Sequence, residues 1–167
     1  MLTNRQLFFE HLAQTDEKPL ALEIVRAEGI FVYTPEGDQY IDLVSGISVS
    51  NTGHRHPVVM KAIIEQLDQY LHVMVYGKYI QSPQVKYARK LTSELPEKLS
   101  VVYFVNSGSE AVEGALKLAK RYTGRTELVT FRDAYHGSSS GALSVLGNEY
   151  LKNAFRPLLP DIRILDF

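Results

Sequence analysis

The sequence predicts an α/β protein: a small α+β segment followed by the opening of a doubly wound, mainly parallel sheet domain. Three observations carry this. Almost continuously apolar runs at residues 101–105, 127–131 and 161–167 alternate with stretches of helical period, the pattern of parallel strands joined by crossover helices. Ahead of them, "ALEIVRA", "GIFVYT" and "QYIDLVS" are separated by turn chemistry at Glu28-Gly29 and at residues 35–38, the pattern of an antiparallel meander. Between the two regions, Val59, Ile63, Ile64, Leu67 and Leu71 fall at helical spacing behind Pro57, which suits a first helical position because its missing N–H costs nothing there.

Each element follows from local chemistry. Residues 3–14 read as a short amphipathic helix with Leu7, Phe8 and Leu12 on one side. "GHRHP" leads into the Pro57 helix, and the Tyr-rich "VMVYGKYIQSP" connects it to a helix over residues 83–95 with Val85, Ala88, Leu91 and Leu95 as its apolar face. Residues 101–105 are the next strand and 108–122 a helix whose sheet-facing side is Ala111, Ala115, Leu118, Ala119 and Tyr122. Gly124 is its stop. A strand at 127–131, a helical stretch near 141–153 and a last strand in "DIRILDF" complete the alternation. The expected division is 1–77 and 78–167. A sheet of about three parallel strands, with no helix after the last, is below the usual size of a complete one. The expectation is therefore a portion of a longer protein, aggregation-prone if isolated.

The bulk properties narrow the function classes. The chain has 167 residues, 45% hydrophobic and 22% charged, as in a globular rather than a disordered protein. Its 18 Lys plus Arg against 19 Asp plus Glu, all scattered, argue against a nucleic-acid or polybasic membrane-surface binder. With no cysteine there is no disulfide, thiolate metal site or cysteine nucleophile. No apolar stretch has the length of a signal core or a membrane span, and the expected location is the cytoplasm.

Chemistry concentrates where the strand at 101–105 hands over to a helix through Asn106, Ser107, Gly108 and Ser109. Ser107-x-x-Glu110 fits a capping box, which is one sufficient account of these residues. The other is an anion site. Gly108 would let a phosphate approach the backbone, and the N–H groups of Gly108 and Ser109 with both Ser hydroxyls would bind it at the positive end of the helix. Neither a P-loop nor a Gly-x-Gly-x-x-Gly fingerprint is present. Tyr135, His136 and Gly137 follow the strand at 127–131, so in a parallel sheet their loop emerges at the same edge as Ser107. An aromatic ring beside a phosphate cradle suits a flat, phosphorylated cofactor. His54 and His56 lack the further ligands of a metal site and read as a turn before the Pro57 helix. A Gly-x-Ser-x-Gly hydrolase elbow is absent around residues 138–140.

"NSGSEAVEGALKLAKRYTGR" followed by "AYHG", with "EGDQYIDLVSG" and "SGISVSNTGHRHPVVMKAI" upstream, resembles the class III aminotransferases, pyridoxal-phosphate enzymes of fold type I. The resemblance runs over essentially the whole chain. It implies that Ser107, Gly108 and Ser109 form a cup for the phosphate of pyridoxal 5'-phosphate, that Tyr135 stacks on its ring, and that His136 and Gly137 shape the same loop. It places Ile47, Asn51, Tyr76 and Tyr79 near the substrate mouth or a dimer interface, with ordinary packing the alternative for the two tyrosines. It implies a homodimer that moves an amino group from an amine or amino-acid donor to a keto acid by a ping-pong mechanism. The Lys that forms the Schiff base and the acid that pairs with the pyridinium nitrogen are expected beyond Phe167, so no catalytic residue is assigned within the chain and residues 1–167 alone are expected to be inactive. An aminomutase, racemase or decarboxylase of the same family, a non-catalytic phosphate- or cofactor-binding module and a non-catalytic interaction protein remain the alternatives.

Overall fold

A computed structural model describes all residues, 1–167. They form two compact units, Met1–Tyr79 and Ile80–Phe167.

In the first unit, α1 (Asn4–His11) starts at a full capping box: the Thr3 side chain accepts from the Gln6 N–H while the Gln6 side chain accepts from the Thr3 N–H. The expected meander follows as β1 (Arg26–Glu28), β2 (Phe31–Tyr33) and β3 (Gln39–Ile41), antiparallel in that order with Ala27 opposite Val32 and Val32 opposite Tyr40. After β3, α2 (Ser45–Ser48) is a single turn of unusual hand. Ser45, Gly46, Ile47 and Ser48 have φ of 51°, 61°, 61° and 62°. The left-handed region crowds Cβ against the carbonyl, at roughly 1–2 kcal/mol per non-glycine residue. The chain then returns to the meander, where His54 and Gly29 exchange backbone bonds of 2.7 and 3.0 Å. α3 (Pro57–Leu67) begins at Pro57 as its sequence requires.

The second unit holds α4 (Ser82–Ser93), α5 (Gly108–Thr123), β4 (Leu128–Phe131), α6 (Ser140–Ser144), α7 (Glu149–Lys152) and β5 (Ile162–Leu165). β4 and β5 pair in parallel with Thr130 opposite Ile164, as the alternation of strand and helix predicts. Its buried centre is α6 and the residues just after it: Ala142, Leu143, Val145 and Leu146, with Thr130, Ser144 and Lys152 against them.

Three expectations need correction here. Residues 101–105 join no ladder, so the parallel sheet has two strands. A strand exists only where a neighbour supplies backbone partners, and this segment is held by side chains instead. The Phe104 ring stacks on Tyr87 of α4 at 5.7 Å, and Tyr103 lies beside Gly114 of α5. Second, the side of α5 expected to face the sheet is exposed at Ala111, Ala115, Leu118, Ala119 and Tyr122; Ser109, Val112, Glu113, Gly114, Leu116 and Lys120 are the half-buried ones. Third, the helical stretch after residue 140 is broken by Gly147, whose N–H bonds the Ala134 carbonyl at 3.0 Å. A Cβ there would stand 2.2 Å from the Phe131 carbonyl oxygen, so the close approach requires glycine.

Candidate functional site

The N-terminus of α5 is built by its first three residues and the two before them. Ser107 is extended (φ −150°, ψ 162°), and its Oγ accepts the Glu110 N–H at 3.1 Å. The Glu110 carboxylate reaches past Ser107 to accept the Asn106 N–H at 2.7 Å and its side-chain amide at 3.3 Å. The expected box is thus displaced by one residue. As a result the N–H groups of Ser107, Gly108 and Ser109 have no acceptor in the chain. A Cβ on Gly108 would meet nothing within 4 Å, so the space before these donors is open. Three successive free N–H groups at the positive end of a 16-residue helix make a place for an anion. At the other end Gly124 (φ 69°) terminates α5 in the left-handed conformation its sequence predicts.

The loop after β4 is seated on this helix end. His136 Nε2 lies 3.2 Å from the Oγ of Thr130, a buried residue of β4, and this ties the loop to its strand. Gly137 (φ 127°) is buried, and a Cβ on it would fall 2.5 Å from Ser109 Oγ. Two residues on, the Ser139 N–H donates to Ser109 Oγ at 3.1 Å and the two hydroxyls are 2.6 Å apart. Ser139 Oγ in turn donates to Glu113 Oε1 at 2.7 Å. A carboxylate only accepts, so Ser139 gives its hydrogen to Glu113, and the hydrogen between the two serines comes from Ser109. Of the two hydroxyls expected at the anion, Ser109's is therefore turned away and Ser107's stays free to donate.

Glu113 Oε1 also accepts the N–H groups of Gly141 at 2.7 Å and Ala142 at 3.2 Å, so one carboxylate caps the start of α6 from α5. The Ser139 hydrogen bond first, then these N–H groups and the charge of Lys117, hold the Glu113 carboxyl below its ordinary value, against the effect of burial. No sequence motif singles out Glu113. Its spacing of four from Ser109, which puts both on one face, together with the serines after Gly137, was the available signal.

The structure thus joins Ser109 to Gly137 and Ser139, with Tyr135 and His136 on the same loop. Tyr135 carries its ring open, at 69% exposure. Ile47, Asn51, Tyr76 and Tyr79 belong to the other unit and are all exposed. There His54 Nε2 meets the Asp42 carboxylate at 2.7 Å, and Asp42 also accepts the N–H groups of Val44 at 3.1 Å and Ser45 at 2.8 Å. The Ser45 N–H first, and His54 next, lower the Asp42 carboxyl from its ordinary value. His54 is a tether for the left-handed turn, and His56 stands at the N-cap position of α3 without a side-chain capping bond, its Nδ1 buried without a partner. Lys152 is buried too, its ammonium bonded to the Leu146 carbonyl at 2.7 Å and to Glu149 at 3.2 Å. No helix is long and apolar enough to cross a membrane.

Comparison with known proteins sets this geometry in a lineage. The family described as Aminotransferase class-III matches residues 12–167. An acetylornithine aminotransferase of Methanopyrus kandleri is 41% identical over 138 residues, which are 83% of this chain and 35% of that protein. Among solved structures, the adenosylmethionine-8-amino-7-oxononanoate aminotransferase of Methanocaldococcus jannaschii superposes with a TM-score of 0.90 at 30% identity, over 98% of this chain and 40% of that one. The taurine:2-oxoglutarate aminotransferase of Bifidobacterium kashiwanohense, solved in complex with PLP and glutamate, superposes with a TM-score of 0.84 at 27% identity, over 96% and 36%. The chain therefore spans well under half the length of these relatives, and across that span it shares their fold, that of PLP-dependent aminotransferases. By sequence and by fold, this chain belongs to the class III aminotransferase family.

Proposed function

We propose that this chain supplies the phosphate cup and ring-bearing loop of a pyridoxal-phosphate-dependent aminotransferase. The observation that carries this is the open row of N–H donors at Ser107, Gly108 and Ser109, with the Tyr135 loop bonded to it through Ser139. These residues fit the group: the donors and the Ser107 hydroxyl face an anion, Gly108 leaves room for it, and an unburied aromatic ring stands on the adjoining loop. When bound, pyridoxal phosphate supplies an electron sink for the carbon that loses its proton. The residues of this chain bind and orient. Ser107 donates to the phosphate, His136 and Gly137 hold the loop in place, and the ring of Tyr135 covers one face of the cofactor.

In the whole protein, we take the amino donor to be an amine or amino acid and the acceptor a keto acid. The Lys and acid of the chemistry lie outside residues 1–167. Acetylornithine is the first donor to test, because the Methanopyrus relative is named for it. The same reading takes residues 1–77 as part of a small domain and 78–167 as the first part of the cofactor-binding domain. It makes the protein a cytoplasmic homodimer and places Ile47, Asn51, Tyr76 and Tyr79 at the substrate mouth or the subunit interface.

The test is a titration with pyridoxal phosphate, pyridoxal and ATP, with Ser109→Asp alongside. Binding of pyridoxal phosphate at least about tenfold tighter than pyridoxal, lost in Ser109→Asp, is expected from a charge-assisted phosphate site. Preference for ATP, or equal binding of pyridoxal and its phosphate, overturns the reading.

A further inference from the structure

Glu113 makes the link between two subsites that the sequence separates by nearly thirty residues. Its Oε1 gathers the Ser139 hydroxyl, the Gly141 N–H and the Ala142 N–H, all from the segment that follows the Tyr135 loop. Ser139 in turn holds Ser109 by two further bonds, N–H to Oγ and Oγ to Oγ. Glu113 and Ser109 stand one turn apart on the same helix, so α5 grips the loop at two points. Gly141 is fitted to this contact as closely as Gly137 is to Ser109, since a Cβ on Gly141 would come within 2.8 Å of the Glu113 carboxylate carbon. None of these Glu113 bonds reaches the open N–H row. The carboxylate acts on the loop and leaves the anion donors free.

We infer that Glu113 is a positioning residue: it clamps the ring-bearing loop to the phosphate end of α5 and so fixes the spacing between the ring and phosphate subsites. The inference rests on the cofactor reading above and goes beyond it. A ligand that occupies both subsites at once feels the clamp, whereas a ligand that fills only the anion site does not. The clamp is therefore a gauge of length, favouring a phosphorylated pyridine over a free phosphate, and it works through loop position rather than through contact with the ligand.

The experiment compares wild type, Glu113→Ala, Glu113→Gln and Ser139→Ala in the full-length protein. Dissociation constants are measured for pyridoxal phosphate and, by competition, for inorganic phosphate, and visible circular dichroism of the bound cofactor reports ring orientation. Glu113→Ala is expected to weaken pyridoxal phosphate by about tenfold or more while inorganic phosphate changes by less than about threefold, and to diminish the dichroic band per bound cofactor. Glu113→Gln keeps an oxygen for all three donors and is expected within about threefold of wild type. Ser139→Ala removes the hydroxyl link but leaves Glu113 on Gly141 and Ala142, so it disturbs the fold less than Glu113→Ala and should shift the same ratio and band in the same direction. Equal losses for both ligands, or an unchanged ratio and band in Ser139→Ala, overturn the inference. A wild type that fails to bind pyridoxal phosphate instead overturns the cofactor reading on which it rests.

Discussion

Gly137 lies so close to Ser109 that a Cβ on it would stand 2.5 Å from the serine oxygen and 2.9 Å from its Cα. Because φ at Gly137 is 127°, space and backbone conformation both demand glycine. Gly137→Ala is expected to cost about 1–3 kcal/mol in backbone strain and to push the loop off the helix end. Denaturant unfolding reads the first effect. A weaker affinity for pyridoxal phosphate reads the second, and wild-type values for both would show that the contact does not matter.

Ser107 has two duties that a single substitution separates. Ser107→Ala removes the cap to Glu110 N–H, at a cost of about 1 kcal/mol in stability. In the proposed cup it also removes the one hydroxyl free to donate to a phosphate, so affinity for pyridoxal phosphate should fall more than affinity for pyridoxal. Ser107→Thr restores the oxygen and should recover most of both.

The carboxyl of Glu113 gives a pH dependence of defined sign. Its folded value lies below the ordinary 4.5, so between the two values the unfolded chain binds the extra proton. Its contribution is therefore complete above about 4.5, near the unfolded value, and is lost as pH falls through the lowered folded value. Glu113→Gln should flatten that part of the stability profile, measured as the urea midpoint between pH 6 and pH 3, and lower the neutral midpoint toward the wild-type acid value. A parallel acid limb in wild type and variant would refute it.

Asp42 holds the start of the left-handed turn through the N–H groups of Val44 and Ser45. Asp42→Ala should speed exchange of these two amides by about tenfold or more, since a bond to a charged acceptor is worth roughly 1.5–3 kcal/mol. Hydrogen-exchange mass spectrometry over residues 43–50 checks this. Unchanged exchange would mean that the turn is held elsewhere.

What was legible from sequence was local. Ser107, Gly124 and the helix between them carry their own start and stop, and the Gly29 and Gly37 turns announce the meander. Pairing was not legible. Residues 101–105 have the composition of a strand, but whether they join a ladder depends on another segment's position. The side of α5 that packs was misread because its apolar residues span two adjoining stripes, and only α6's placement decides between them. The site followed the same division. Ser107 to Ser109 and Tyr135 to Gly137 can be nominated from sequence because each motif is contiguous. Glu113 was missed because its partners lie 26 to 29 residues away.

The turn at Ser45 to Ser48 has a consequence for engineering. Ile47 is a β-branched residue in a mirror-image conformation, with its side chain 85% exposed, so little packing compensates it. Glycine or a D-amino acid at 47 would release this strain, and Ile47→Gly is expected to gain up to about 1 kcal/mol after its own chain entropy is counted. A thermostability selection is therefore expected to accept glycine at position 47.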